Sequence, residues 1–151
     1  HAIHHNAYQL NDIIFTGDVA GCKIENGPVV PPCPPPDVDI TLWKNSIKKL
    51  KDANPTALYL THFARQENPI QLLNELEVEL DNWATFMKPF FDAGTPADEI
   101  VPQFMKFTSD AFKAKGLTDE EIQVYEYANP SWMSVNGLLR YWKLKSQGRI
   151  E

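Results

Sequence analysis

This chain of 151 residues is short of cysteine, short of positive charge and without a long apolar run. Its two cysteines, Cys22 and Cys33, are too few for a disulfide framework and form no CxxC pair. They read first as reduced thiols of a cytosolic protein, with a disulfide closing the loop between them as the alternative. Lys and Arg number 14 against 20 Asp and Glu, for a formal net charge of −6. An acidic balance argues against a nucleic-acid partner, because phosphate binding needs a basic face. No stretch of about 18 apolar residues exists, so no membrane-spanning helix and no membrane partner is expected. The histidine-rich start also lacks the apolar core of a secretory signal, which leaves the cytoplasm as the expected location. With 43% apolar and 23% charged residues, the chain has the composition of a globular domain with a real core.

Against these absences stands an uneven distribution of histidine. His1, His4 and His5 crowd the first five residues, and His62 closes the apolar run Leu58-Tyr59-Leu60-Thr61. A second apolar run, Ile13-Ile14-Phe15-Thr16-Gly17, ends on the carboxylate of Asp18. Neutral imidazole and carboxylate are the usual protein ligands of divalent transition metals. Here they fall at the ends of predicted strands, where a sheet can bring them to one point. Gly17 and Gly21, on either side of Asp18, allow the backbone to curl closely there. A two-metal hydrolase needs histidines on each metal and one carboxylate between metals about 3.5–4 Å apart. Asp18 is placed to be that carboxylate, with His62 on one metal and His1 on the same or the other. Each piece also has a plainer explanation. Histidines at a chain start occur in purification tags, Gly-Asp makes ordinary turns, and a strand-end histidine is often satisfied by hydrogen bonds alone.

The pattern of elements divides at about residue 65. Ala7–Leu10 and Ile13–Thr16 are strand-like runs joined by the two-residue turn Asn11-Asp12, which predicts a β-hairpin. A loop with Gly17, Gly21 and Gly27 is expected next, running into Pro28–Pro36, where six of nine residues are proline. Such a segment cannot be a helix or a central strand; it predicts a rigid surface loop, or alternatively a polyproline ligand for a partner. Ile40, Trp43, Ile47 and Leu50 share one face of a helix over 39–52. Ala57–Thr61 then reads as a buried strand.

From Asn68 onward the signals are helical. Asn68-Pro69, Thr95-Pro96, Thr118 with Glu121, and Asn129-Pro130 each open a helix. Trp83, Phe86, Phe90, Phe91, Phe104, Phe107 and Phe112 fall on packing stripes and are expected in the core. Trp132, Met133, Tyr141 and Trp142 are less regular and fit either a substrate pocket or a homodimer contact. Lys44, Lys48, Lys49 and Lys51 read as a solvated face.

Phe15-Thr16-Gly17-Asp18 together with Leu60-Thr61-His62-Phe63 resembles the metallo-β-lactamase superfamily. His1-Ala2-Ile3-His4-His5 extends the match, being similar to the family's Gly-His-Ala-x-His-His segment without its leading glycine. The similarity covers residues 1–65, and 66–151 is similar to a helical C-terminal extension. The resemblance implies an α+β fold: the C-terminal half of an αββα sandwich, followed by that extension. It implies Asp18 as the metal-bridging residue, with His1 and His62 as terminal ligands. His4 and His5 become neighbours of the site, either of which would replace His1 under a different register. It implies two divalent metal ions, zinc first, with iron or manganese suiting the same donors. A hydroxide held between them would attack an ester, thioester or amide of a small-molecule substrate, beside the proline-rich loop.

The family's first motif, His-x-His-x-Asp-His, is nowhere in these residues. The chain is therefore expected to be a C-terminal part whose partner is the N-terminal half of the same sandwich, and to be inactive alone. Two other readings stay open. One is a di-iron redox protein of the same superfamily; the other is a non-catalytic helical interaction module with structural histidines.

Overall fold

A computed structural model describes the chain at Ala2, residues 4–62 and residues 64–150. The fold is α+β, with five helices and a mixed five-stranded sheet among the described residues. Two compact units emerge. The first takes the chain up to Pro32 together with Asp39–Asn82, and the second takes Cys33–Val38 and the chain from Trp83 onward.

The first unit holds the sheet. Strands β1 (Tyr8–Leu10) and β2 (Ile13–Lys23) form the predicted hairpin, with Tyr8 opposite Phe15 and Leu10 opposite Ile13. Asn11 turns it at φ 54°, a left-handed conformation that asparagine tolerates better than most residues. Strand β3 (Val29–Val30) pairs antiparallel with the far end of β2. Helix α1 (Ile40–Asp52) starts where the Asp39 side chain accepts a hydrogen bond from the Leu42 N–H at 3.0 Å. Its buried face is Ile40, Trp43, Ile47 and Leu50, as their spacing predicts. The chain returns as β4 (Ala57–His62), parallel to β2, and β5 (Arg65–Gln66) pairs antiparallel with β4. A parallel pair needs a crossover connection, and α1 supplies it.

Two expectations are overturned here. The loop expected from Gly17 is strand: β2 continues through Asp18 to Lys23. Gly17 and Gly21 have φ of 55° and 81°, and the β2–β4 register slips between Phe15 and Gly17 and again between Gly17 and Cys22. These glycines mark irregularities inside a strand rather than its end. The proline-rich segment is not a surface loop either. Pro28 through Cys33 are buried, and only Pro35 and Pro36 are exposed. Val29 and Val30 carry that burial, and the flanking prolines are tolerated because β3 pairs with β2 alone. Burial also removes Pro28–Pro32 as a polyproline ligand.

The sheet has two unlike faces. Ile14 and Leu58 on one are buried, and α1 packs against β2 with the Trp43 indole N–H donating to the Val19 carbonyl at 2.8 Å. The pairing puts Tyr8, Phe15 and Tyr59 in one row of the other face and Leu10, Ile13 and Ala57 in the next. There Tyr8, Leu10 and Phe15 are 70%, 58% and 42% exposed. The rings of Phe15 and Tyr59 stack at 5.0 Å across the strands.

Helix α2 (Pro69–Ala93) is counted with the first unit through Asn82 and with the second beyond it. The second unit continues with α3 (Ala97–Ala114), α4 (Asp119–Ala128) and α5 (Ser131–Ser146). The Thr118–Glu121 capping box forms as predicted. Trp83 meets Phe104 edge-on at 4.9 Å, and Phe86 stacks on Phe107 at 4.4 Å. Of the seven aromatics expected in the core, Trp83, Phe104 and Phe112 are buried, while Phe86, Phe90, Phe91 and Phe107 are half-buried. Tyr141 is buried, Trp142 donates its indole N–H to the Ala84 carbonyl, and Trp132 stands 55% exposed. The lysines of α1 do not stand as a free cationic face: Lys44, Lys48 and Lys51 pair with Asp81, Asp52 and Glu77.

Candidate metal centre

Asp18 sits in the irregular stretch of β2, and His62 is the last residue of β4. Because the two strands run parallel, their C-terminal portions lie side by side, and Cys22 pairs with His62 in the register. The slip at Gly17 draws Asp18 into reach of that end. His62 Nε2 lies 3.3 Å from Asp18 Oδ1, with the two side chains 37% and 26% exposed. Oδ1 itself is shielded from solvent. Both side chains are thus partly shielded, with Oδ1 on the inner side. Thr16 is fully buried, and its hydroxyl points its single proton between the Gly17 carbonyl at 3.1 Å and the Tyr59 carbonyl at 3.3 Å. That contact ties the start of the irregular stretch to β4.

His5 reaches the same place from the chain start. Its backbone N–H closes a turn on the Ala2 carbonyl at 3.0 Å. Its Nε2 lies 3.1 Å from the Asp18 backbone N and 3.2 Å from the Thr16 carbonyl oxygen. A side chain on Gly17 would collide with it, since a Cβ there would stand 2.0 Å from Nε2. The structure therefore brings Asp18 and His62 together and lays His5 on the backbone of Asp18. His4 is exposed, with its carbonyl accepting from the Asn6 amide. His1 lies outside the described residues, as does Phe63 of the His62 segment. Among the described residues, no three His, Cys, Asp or Glu side chains converge as a metal-binding group. Residue spacing alone did not reveal what His5 touches; the signal for it was Gly17, the residue whose missing side chain makes the room.

Cys22 lies beside this pair, buried in β2. Burial pushes its thiol up to about 12, and the negative charge of Asp18 adds to the shift. Cys33, in the second unit, is raised to about 12 by burial. Both thiols are free. Only the thiolate is nucleophilic, so two buried thiols held protonated are expected to resist aromatic disulfide reagents. Native protein at pH 8 should react at least about 100-fold more slowly than the urea-unfolded chain, which should label both. Rapid labelling of one thiol in the native state would contradict its burial.

No family model matches the chain, and no solved structure matches it. The chain is 30% identical over 107 residues to a metallo-beta-lactamase fold-containing protein of Sulfurisphaera tokodaii. That likeness supports the metallo-β-lactamase superfamily. The aligned stretch takes in 67% of this chain and 37% of that protein, so the chain spans little more than a third of the relative's length. A match over 67% of the chain is longer than residues 1–65, so the likeness reaches into the helical part. No helix among the described residues is long and apolar enough to cross a membrane.

Proposed function

We propose that this chain carries part of the site of a metal-dependent hydrolase acting on an ester, thioester or amide bond. The observation that carries this reading is the meeting of Asp18 and His62 from two parallel strands, one oxygen shielded and the imidazole half-open. One carboxylate and one imidazole suit a divalent transition metal in chemistry and in placement, though a metal needs more donors than two. Asp18 would bridge two metals, and His62 and His1 would each hold one. Zinc is the first choice, with iron or manganese suiting the same ligands. Such metals, when bound, supply Lewis acidity and acidify water for attack on a carbonyl. The chain's own contribution is to hold the Asp18 carboxylate and the His62 ring at fixed positions and to leave one side of the pair open to substrate.

The remaining donors come, in this proposal, from the N-terminal half of the sandwich, with its His-x-His-x-Asp-His motif. The exposed sheet face of Tyr8, Leu10 and Phe15, with half-buried Tyr59 beside Phe15, is where that half would pack, since monomeric proteins rarely leave such an apolar face in water. Residues 1–65 would form the sandwich part and 66–151 its helical extension, in a cytoplasmic protein.

Zinc titration followed by the NMR signals of the histidine rings tests the metal site. The His62 ring should respond to zinc, and Asp18→Ala should weaken that response about tenfold or more, as loss of even an outer-shell partner typically does. A His62 ring indifferent to zinc, or equally responsive after Asp18→Ala, would sink the proposal and leave these histidines structural. The chain alone, with zinc and simple ester or thioester substrates, should show no turnover. Robust turnover abolished by Asp18→Ala would show that these residues suffice.

A further inference from the structure

We propose that His5 is a positioning residue, whose Nε2 accepts the Asp18 backbone N–H and so holds the Thr16–Gly17–Asp18 stretch in the shape that puts the Asp18 carboxylate beside His62. The significance for metal binding rests on the function proposed above; the hydrogen bond itself does not.

The geometry makes the three residues interlock. His5 Nε2 has two backbone neighbours, the Asp18 N at 3.1 Å and the Thr16 carbonyl oxygen at 3.2 Å. One nitrogen cannot accept from the first and donate to the second in the same tautomer. Were Nε2 protonated, its N–H would face the N–H of Asp18, donor against donor. A carbonyl oxygen close to an unprotonated nitrogen is the lesser conflict, because the Thr16 oxygen has a second lone pair to direct elsewhere. The proposed arrangement makes Nε2 the acceptor, which leaves the ring proton on Nδ1.

Gly17 makes the approach possible. At φ 55° it adopts a conformation that other residues enter at a cost, and an added Cβ would stand 2.0 Å from Nε2 and 2.5 Å from Cε1 of His5. The same glycine thus shapes the irregular strand and leaves the space that the ring fills. His5 is half-buried and held by its turn to Ala2, so it meets the strand as a fixed support. Asp18 leads directly from that support to the Oδ1–His62 contact at 3.3 Å.

The test is NMR on the whole chain without metal, so it stands or falls separately from the zinc titration. In native protein, a coupling across the hydrogen bond should link the Asp18 amide nitrogen to His5 Nε2, and the ring should report Nδ1 as its protonated nitrogen. His5→Ala should remove that coupling, raise the Asp18 amide exchange rate about tenfold or more, and shift the His62 ring signals; tenfold corresponds to one ordinary hydrogen bond. His5→Gln keeps an acceptor and should restore most of the protection and of the His62 shift. No coupling in the native chain would overturn the proposal, whatever the variants do. His62 signals unmoved by His5→Ala, or a glutamine no better than alanine, would also overturn it, because His5 would then only fill space.

Discussion

Trp43→Ala is expected to destabilise the protein by about 3–5 kcal/mol, the usual range for removing a large buried aromatic. Trp43 is fully buried in the face of α1 that packs on the sheet. The loss has two parts. The cavity left by the indole forfeits its transfer free energy and its packing contacts. The Val19 carbonyl, which takes the indole N–H at 2.8 Å, loses a buried donor; leaving such a group unsatisfied costs about 1–3 kcal/mol. Trp43→Phe separates the parts, because it keeps most of the apolar volume and removes the donor, and it should fall well short of alanine. Urea unfolding followed by circular dichroism measures both. Val19 follows Asp18 directly, so the alanine variant should also disturb the Asp18 and His62 signals. A Trp43→Ala cost below about 1 kcal/mol would mean that the indole is not where the structure puts it.

Gly137→Ala should destabilise by about 2 kcal/mol or more, although alanine is the better helix former. Gly137 lies inside α5, where exchange for alanine would by propensity alone gain about 1 kcal/mol. Against that gain stands a backbone-to-backbone contact. A Cβ on Gly137 would meet the Cys33 carbonyl oxygen at 1.9 Å and its carbon at 2.9 Å. Neither atom belongs to a flexible side chain, so the helix or the 33–34 segment must move. Overpacking of this kind costs about 1–3 kcal/mol, and more where backbone must shift. Gly94→Ala is the control, since nothing stands within 4 Å of its Cβ and only its φ of 67° opposes the change. A Gly137→Ala variant as stable as the wild type would show that the close approach does not exist.

The contrast between the two glycine types explains what sequence could and could not convey. Helix α1 was legible because Ile40, Trp43, Ile47 and Leu50 repeat at helical spacing and Asp39 caps them. The hairpin was legible because Asn11 stands between two apolar runs. In both cases the cause lies within a few residues. Gly17 and Gly21 read as loop because a glycine looks the same from sequence whether it ends a strand or kinks one, and in the fold they kink β2 at positive φ. The neighbour that decides, β4, arrives about 40 residues later. Burial of Pro28–Cys33 was hidden in the same way, since proline excludes regular structure without saying what covers it. At the candidate site, Asp18 and His62 stand out in the sequence as ligand-type residues after apolar runs, and the fold places them 3.3 Å apart although Asp18 lies inside β2. What His5 touches does not follow from residue spacing; its sign is Gly17, whose missing side chain leaves room for the ring.

The parallel pairing of β2 with β4 also governs when the candidate site comes into being as the chain folds. The hairpin of β1 and β2 closes through a two-residue turn and needs only its neighbours. Asp18 and His62 meet across a contact such as Thr16 to Tyr59, which lie 43 residues apart with α1 between them. Closing a loop of that length costs entropy that only the completed crossover repays. Until α1 has docked and β4 has found its register, the two side chains belong to separate, independently moving segments. Under the function proposed above, a metal ion meeting the unfolded chain would find imidazoles and carboxylates but not this pair, and binding would favour the compact state in which they coincide.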